Sequence, residues 1–153
     1  MEFITKDLPE QNYIYVDREC GYGPEIAEAM GSAFGEVYGF VQENGITPLS
    51  MPLTVYLGMD PKVLRFRAGF AVSAEDAARV NGTIKADTLP GGATMTGVHV
   101  GPYDRMNETH QAMWAHMEAD GIKGGMPIWE VYVDDPDTVE ADKLRTEIYC
   151  TLG

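Results

Sequence analysis

The chain has 153 residues, of which 44% are hydrophobic, and its 24 acidic residues against 11 basic ones give a formal net charge of -13. This length fits one domain over residues 1–153, with roughly 70% of the unfolded surface buried. No run of Lys or Arg is present to neutralise phosphates, and neither a signal peptide nor a stretch of roughly 20 apolar residues occurs, so we expect a cytoplasmic protein that contacts neither nucleic acid nor membrane.

The first half of the chain predicts a strand, a helix and a hairpin. β-branched and aromatic residues mark the strand, apolar residues at helical spacing mark the helix, and alternating segments mark the hairpin. Gly31, Gly35 and Gly39 lie four apart on the predicted helix and predict a flat stripe that packs closely on a sheet. The predicted elements are a strand over 11–19, a helix from 24 to about 43, and strands over 52–58 and 63–72.

The second half repeats that order. Segment 73–80 fits either a helical turn or a loop, and Met106, His110, Met113 and Met117 form an apolar stripe of the kind that fills cores. The predicted elements are strands over 84–89 and 93–100, a helix over about 103–120, a strand from 127, a polar loop over 137–142 and a strand over 145–152.

The common order of elements predicts a duplication with pseudo-repeats at about 12–73 and 92–153. Two such βαββ units give an α+β fold, in which an antiparallel sheet carries both helices and a pseudo-twofold relates the halves. Ligand sites tend to form at internal interfaces of this kind. Glu130 and Glu147 occur only in the second copy, where the first has apolar or basic residues. We therefore expect the functional site to depend on residues of the second copy.

Glu130 lies in the middle of the strand that begins at Pro127. Because side chains alternate along a strand, Trp129 and Val131 face one side while Glu130 and Tyr132 face the other. A carboxylate in a buried strand must be solvated, hydrogen-bonded or paired with a cation, since an unpaired buried charge costs several kcal/mol. Glu130 is therefore the leading site candidate.

Two interpretations of Glu130 remain open. In the first, Glu130 lies in a groove lined by Tyr132 and Tyr149, with Tyr56 on the opposite half, and it attracts a cation while the rings supply cation-π contact. Glu147 is a further ligand-binding candidate, although it could simply face solvent. In the second, the tyrosines are ordinary strand residues and Glu130 pairs with an arginine, for which the candidates are Arg65, Arg67 and Arg145.

The sequence contains no motif for a serine nucleophile or a metal site. The serines at 32, 50 and 73 do not lie in a Gly-x-Ser-x-Gly sequence. His110 and His116 are six residues apart and cannot share a helical face, and His99 is expected to make local hydrogen bonds. The two cysteines are expected to be free thiols. We expect no cofactor and no metal.

Four short motifs in this order resemble the GyrI-like effector-binding domain family, which includes gyrase-inhibitory proteins and the drug-sensing domains of multidrug-responsive transcription activators. The motifs are Leu89-Pro90-Gly91-Gly92, His99-Val100-Gly101-Pro102-Tyr103, Trp129-Glu130-Val131-Tyr132 with Asp135-Pro136, and Thr146-Glu147-Ile148-Tyr149. The resemblance implies a duplicated βαββ fold whose central groove binds small aromatic or cationic molecules, with Glu130 as the counter-charge. The chain is expected to be a stand-alone small-molecule-binding version.

The resemblance also implies two alternatives. Some stand-alone members are hydrolases that open strained cyclopropane-containing compounds, and here Glu130 would act as general base, with Tyr132 or Tyr149 as the orienting hydroxyl. The other alternative is a protein-interaction module that binds DNA gyrase or another protein through its acidic surface. Acidic residues clustered on one face would favour it.

Overall fold

The computed structural model describes residues 2–58 and 60–152, which form one antiparallel sheet with helices packed on it. None of the described helices is both long and apolar enough to cross a bilayer. The strands are β1 (Ile4–Leu8), β2 (Gln11–Gly21), β3 (Leu53–Tyr56), β4 (Val63–Ala71), β5 (Lys85–Leu89), β6 (Gly92–Val100), β7 (Gly124–Tyr132) and β8 (Arg145–Leu152), and the helices are α1 (Glu25–Glu43), α2 (Ala74–Ala77) and α3 (Met106–Ala119).

The eight strands lie in the order β1-β6-β8-β7-β3-β4-β2-β5, and every neighbouring pair is antiparallel. The predicted α+β class, an antiparallel sheet with two main helices packed on it, is confirmed. Two runs of the chain, β2-α1-β3-β4 and β6-α3-β7-β8, have the same order of elements. They meet where β3 pairs with β7.

Most predicted elements are present, and the differences have local causes. The segment left open at 73–80 contains α2, whose first turn is capped by the Ser73 hydroxyl accepting from the Asp76 N–H at 3.2 Å. A 3₁₀ turn over 103–105 precedes α3. The sequence did not predict β1, because Lys6 and Asp7 interrupt any apolar alternation in this exposed edge strand. β7 begins at Gly124, three residues before the predicted start at 127, and a register shift follows Gly125.

One face of the sheet is covered by α1 and α3, and we call it the helix face. Beneath α1 it buries apolar side chains of β2 and β4 against Ala33 and Val37. Beneath α3 the predicted methionine stripe is confirmed as core, since Met106, Met113 and Met117 are buried against β7 and β8. The opposite face, which we call the free face, holds a separate apolar cluster that includes Tyr13, Tyr15, Leu53, Val55 and Trp129.

The predicted role of the α1 glycines is wrong. A Cβ added at Gly31, Gly35 or Gly39 would meet no atom within 4 Å, so this stripe faces open space. The close backbone approach occurs instead at Gly69 in β4, where an added Cβ would overlap the carbonyl group of Ile14 in β2. Helical spacing alone could not show which way the stripe points.

Gly69→Ala should therefore lower the free energy of unfolding by about 2–3 kcal/mol, because the new methyl group overlaps the backbone of a neighbouring strand. Gly35→Ala, on the exposed side of α1, should raise it by about 0.5–1 kcal/mol, since alanine favours helix. Urea unfolding curves of both variants measure these changes in the free energy of unfolding. A Gly69→Ala protein as stable as the parent would contradict the packing at β2 and β4.

Candidate functional site

Glu130 lies near the C-terminal end of β7, between Thr54 of β3 and Ile148 of β8. Its side chain points to the helix face, where it is 5% exposed. The predicted alternation is correct, because Trp129 belongs to the cluster on the free face. The carboxylate is thus buried near the pairing of β3 with β7, where the two runs of the chain meet.

Three side chains hydrogen-bond this carboxylate. The Tyr132 hydroxyl donates to Oε1 at 2.8 Å, and the Tyr56 hydroxyl approaches the same oxygen at 3.4 Å. His110 Nε2 lies 2.6 Å from Oε2, and because a carboxylate only accepts, this nitrogen carries the proton. The structure therefore brings together three predicted residues, Glu130, Tyr132 and Tyr56, and adds His110. We call these four residues the Glu130 cluster.

The Tyr132 hydroxyl connects the carboxylate to β3. A phenol has one hydrogen, which it gives to Glu130, so at its 2.9 Å contact with Thr54 Oγ1 it accepts. Thr54 is fully buried, and the chain of hydrogen bonds runs from Thr54 through Tyr132 to Glu130. Such a network fixes the rotamers of all three side chains.

Burial raises the pKa of the Tyr56 and Tyr132 hydroxyls well above the ordinary tyrosine value, and the nearby negative charge of Glu130 adds to this effect. Both groups therefore keep their protons far into the alkaline range and remain hydrogen-bond donors. The carboxylate is stabilised by neutral donors and by one imidazole.

His110 is the cluster member that sequence reasoning missed as a site residue. A signal was available, since it belongs to the stripe of α3 that turns toward the sheet. The alternative of an arginine partner for Glu130 is wrong, because each candidate guanidinium pairs elsewhere. The observed pairs are Arg65 with Glu19 at 2.9 Å, Arg67 with Asp87 at 2.6 Å and Arg145 with Asp134 at 2.9 Å.

Aromatic rings surround the cluster. Tyr103 packs edge-on against Tyr132 with ring centroids 5.4 Å apart, and Phe34 of α1 does so at 6.0 Å. The indole of Trp114 lies 6.0 Å from the imidazole of His110. Tyr103 and Trp114 are 38% and 37% exposed, so they form the outer, solvent-exposed boundary of this aromatic shell.

Two further predicted site residues, Tyr149 and Glu147, lie on the free face. Tyr149 is opposite Trp129 in the β7–β8 register, and the two rings stack with centroids 5.2 Å apart. The Tyr149 hydroxyl donates to Glu147 at 2.9 Å. Burial, followed by the charge of Glu147, raises the pKa of Tyr149. The sheet separates this pair from the Glu130 cluster.

The geometry of Glu130 suits a counter-charge better than a general base. A general base needs an oxygen that faces the reacting water or substrate. Here Oε1 accepts from Tyr132, and Oε2 accepts from His110 at 2.6 Å. Tyr149, the other proposed orienting hydroxyl, is on the free face. These donors leave about one acceptor position for a water, and Tyr132, the remaining proposed orienting hydroxyl, already gives its hydrogen to Glu130.

The remaining polar groups near the site are structural. As expected, His99 makes local hydrogen bonds, with Nδ1 2.6 Å from the Thr109 hydroxyl and Nε2 2.9 Å from the Pro102 carbonyl oxygen. Within residues 2–58 and 60–152, no three His, Cys, Asp or Glu side chains are grouped to hold a metal. Thr146, which lies opposite Tyr132 in β8, is fully buried, and its hydroxyl has no hydrogen-bond partner in the described part of the chain.

Residues 1–152 match the family model of the GyrI-like small molecule binding domain. The chain belongs to this family. Among curated proteins, none matches the chain of this GyrI-like domain.

Solved structures share the fold of this GyrI-like domain at low identity. The EcmrR C-terminal domain is 18% identical with a TM-score of 0.80, covering 99% of this chain and 97% of that one. A hydrolase from Listeria innocua is 19% identical with a TM-score of 0.66, over 99% and 92% of the two chains. SAV2435 bound to tetraphenylphosphonium is 14% identical with a TM-score of 0.67, over 100% and 94%.

Two buried threonines of the helix face give a matched test of the site's hydrogen bonds. Thr54→Val should lower the free energy of unfolding by about 1–3 kcal/mol, because it removes a donor to Tyr132. Thr146→Val should raise it by about 1 kcal/mol, because it removes an unpaired buried hydroxyl. Thermal and urea unfolding measure the stability change of each variant. Equal destabilisation by the two substitutions would contradict the assigned network.

Proposed function

We propose that this GyrI-like domain binds small organic cations between α1 and α3, with Glu130 as the counter-charge. The observation that carries this proposal is a carboxylate 5% exposed whose donors within the described residues are two phenols and an imidazole, with no Lys or Arg in ion-pair distance. When His110 is neutral, a site of this kind retains negative charge for a ligand. Aromatic rings at its boundary add cation-π contact.

The position of Glu130 makes it a stronger attractor than a surface carboxylate. Two opposite charges about 4 Å apart attract by roughly 1 kcal/mol in water and by roughly 4 kcal/mol at the effective dielectric constant of a protein site. The other carboxylates that make up the net charge are mostly exposed, and several pair with arginines. A cation that reaches Glu130 therefore gains more than a cation on the surface.

The carboxylate can accept a donor from a ligand at a small cost in hydrogen bonds. The two oxygens of a carboxylate offer about four acceptor positions, and here three of these positions are taken by the three donors. The Tyr56 contact, at 3.4 Å, is at the long limit of a hydrogen bond and is the weakest of the three. An ammonium group can occupy the fourth position or replace Tyr56, while Tyr132 and His110 stay in place.

Family membership and one structural neighbour support this choice of ligand. The family model is that of a small molecule binding domain. SAV2435, which shares the fold, has been solved with the lipophilic cation tetraphenylphosphonium. The protein-partner alternative has less support, since acidic residues occur on both long helices, on β2 and in the loop after β7.

Glu130→Gln should weaken the binding of tetraphenylphosphonium or a comparable organic cation by at least about tenfold, because the amide keeps the shape but removes the charge. The fold should persist, since His110 can change tautomer to accept from the amide. Isothermal titration calorimetry measures the affinity, and urea unfolding checks stability.

The matched control is Glu147→Gln, which removes the same charge from the free face. It should change the affinity by less than about twofold. Equal losses in the two variants would show that net charge attracts the ligand from a distance, and no loss in Glu130→Gln would reject the counter-charge role.

A further inference from the structure

A second feature of the helix face is a cavity of ≈ 340 Å³ beneath the C-terminal half of α3. Its walls are hydrocarbon and sulfur for the most part, and they are contributed mainly by Trp114, Met117, Ile122, Met126, Ile128 and Cys150. Burial raises the pKa of the Cys150 thiol, so this wall is uncharged at neutral pH. A cavity of this size matches the small end of ligand pockets.

The cavity adjoins the Glu130 cluster. Ile128 lines it and lies two residues before Glu130 on the same face of β7, a step of roughly 7 Å along the strand. Ile128 is also directly opposite Tyr56 in β3. On the α3 side, Trp114 lines the cavity and its ring lies 6.0 Å from that of His110. One apolar space and one buried charge are therefore neighbours on the same surface of the sheet.

We propose that this cavity receives the apolar part of an amphiphilic ammonium ion whose charged group lies at Glu130. The inference rests on the proposed function and names the class of its ligand: an ammonium group with a flexible hydrocarbon chain. The ammonium N–H groups match the acceptor positions of the carboxylate, and the chain extends along β7 past Ile128.

The walls and charges of the cavity favour this occupant over others. Methionine side chains are flexible and polarisable, so Met117 and Met126 can adapt to an alkyl chain. A fatty acid of the same shape is disfavoured, because Glu118 borders the cavity and Glu130 lies on the same face of β7, two residues beyond Ile128 in the cavity wall. Trp114 and Met126 are 37% and 40% exposed at the rim, which leaves a way in for an apolar group.

The test compares butylamine, hexylamine and octylamine, which are ammonium ions at pH 7. Transfer of each methylene group from water to the cavity should tighten binding by about fourfold until the cavity is full. Titration calorimetry gives the affinities. NMR spectra of the protein labelled with ¹³C-methyl methionine locate the bound amine. The Met117 and Met126 signals should shift, whereas the signal of Met51, which is exposed elsewhere, should not.

Gly124→Val should abolish the dependence on chain length. A Cβ at Gly124 would lie 2.6 Å from Met117 Cε and 2.9 Å from Cys150 Sγ, so valine must displace these two wall side chains and change the shape of the cavity. Butylamine, whose short chain reaches little of the cavity, should bind this variant almost as well as it binds the parent. Met126→Gln, a substitution at the rim that leaves the core unchanged, should weaken the binding of octylamine several-fold, whereas Met51→Gln should not weaken it.

The results separate the two proposals. The role of the cavity would be overturned by affinities that do not depend on chain length, or by a dependence that survives in both Gly124→Val and Met126→Gln. In either case Glu130→Gln would still weaken the binding of every amine if Glu130 is the counter-charge. Conversely, a chain-length dependence that Gly124→Val removes, together with unchanged amine affinity in Glu130→Gln, would keep the apolar site and overturn the role of Glu130.

Discussion

The structure depends on how a buried carboxylate is compensated. Removing an ionised acid from water costs several kcal/mol unless hydrogen bonds replace the lost hydration. At Glu130 these bonds come from three elements: Tyr56 of β3, Tyr132 of β7 and His110 of α3. One side chain thus ties the strands at the junction of the two runs to the helix above them. None of these donors is a lysine or arginine, so the carboxylate keeps its negative charge when His110 is neutral.

The alternation of side chains gives the sheet two different faces. Tyr56 and Tyr132 point to the helix face, whereas Trp129 and Tyr149 point to the free face. Glu130 therefore shares a face with Tyr103 and Trp114, which are partly exposed, and the sheet separates it from the Trp129–Tyr149 stack. The cavity beneath α3 lies on this same face, and Ile128 in its wall is two residues before Glu130 in β7.

Local patterns in the sequence predicted much of this arrangement. Period-two alternation correctly assigned the face of Glu130, helical spacing placed α1 and α3, and the order of motifs identified the family. Two relationships between distant segments could not be predicted. Whether Tyr149 shares a face with Glu130 depends on the β7–β8 register, and the contact of His110 with Glu130 depends on how α3 is rotated over the sheet.

The most direct test of the central claim is a crystal structure of the chain with a bound organic cation such as hexylammonium. We expect the cationic centre within about 4 Å of a Glu130 carboxylate oxygen, between α1 and α3, with the Tyr132 and His110 hydrogen bonds retained. A cation bound on the free face beside Glu147 and Tyr149, with the Glu130 cluster unchanged, would contradict this account.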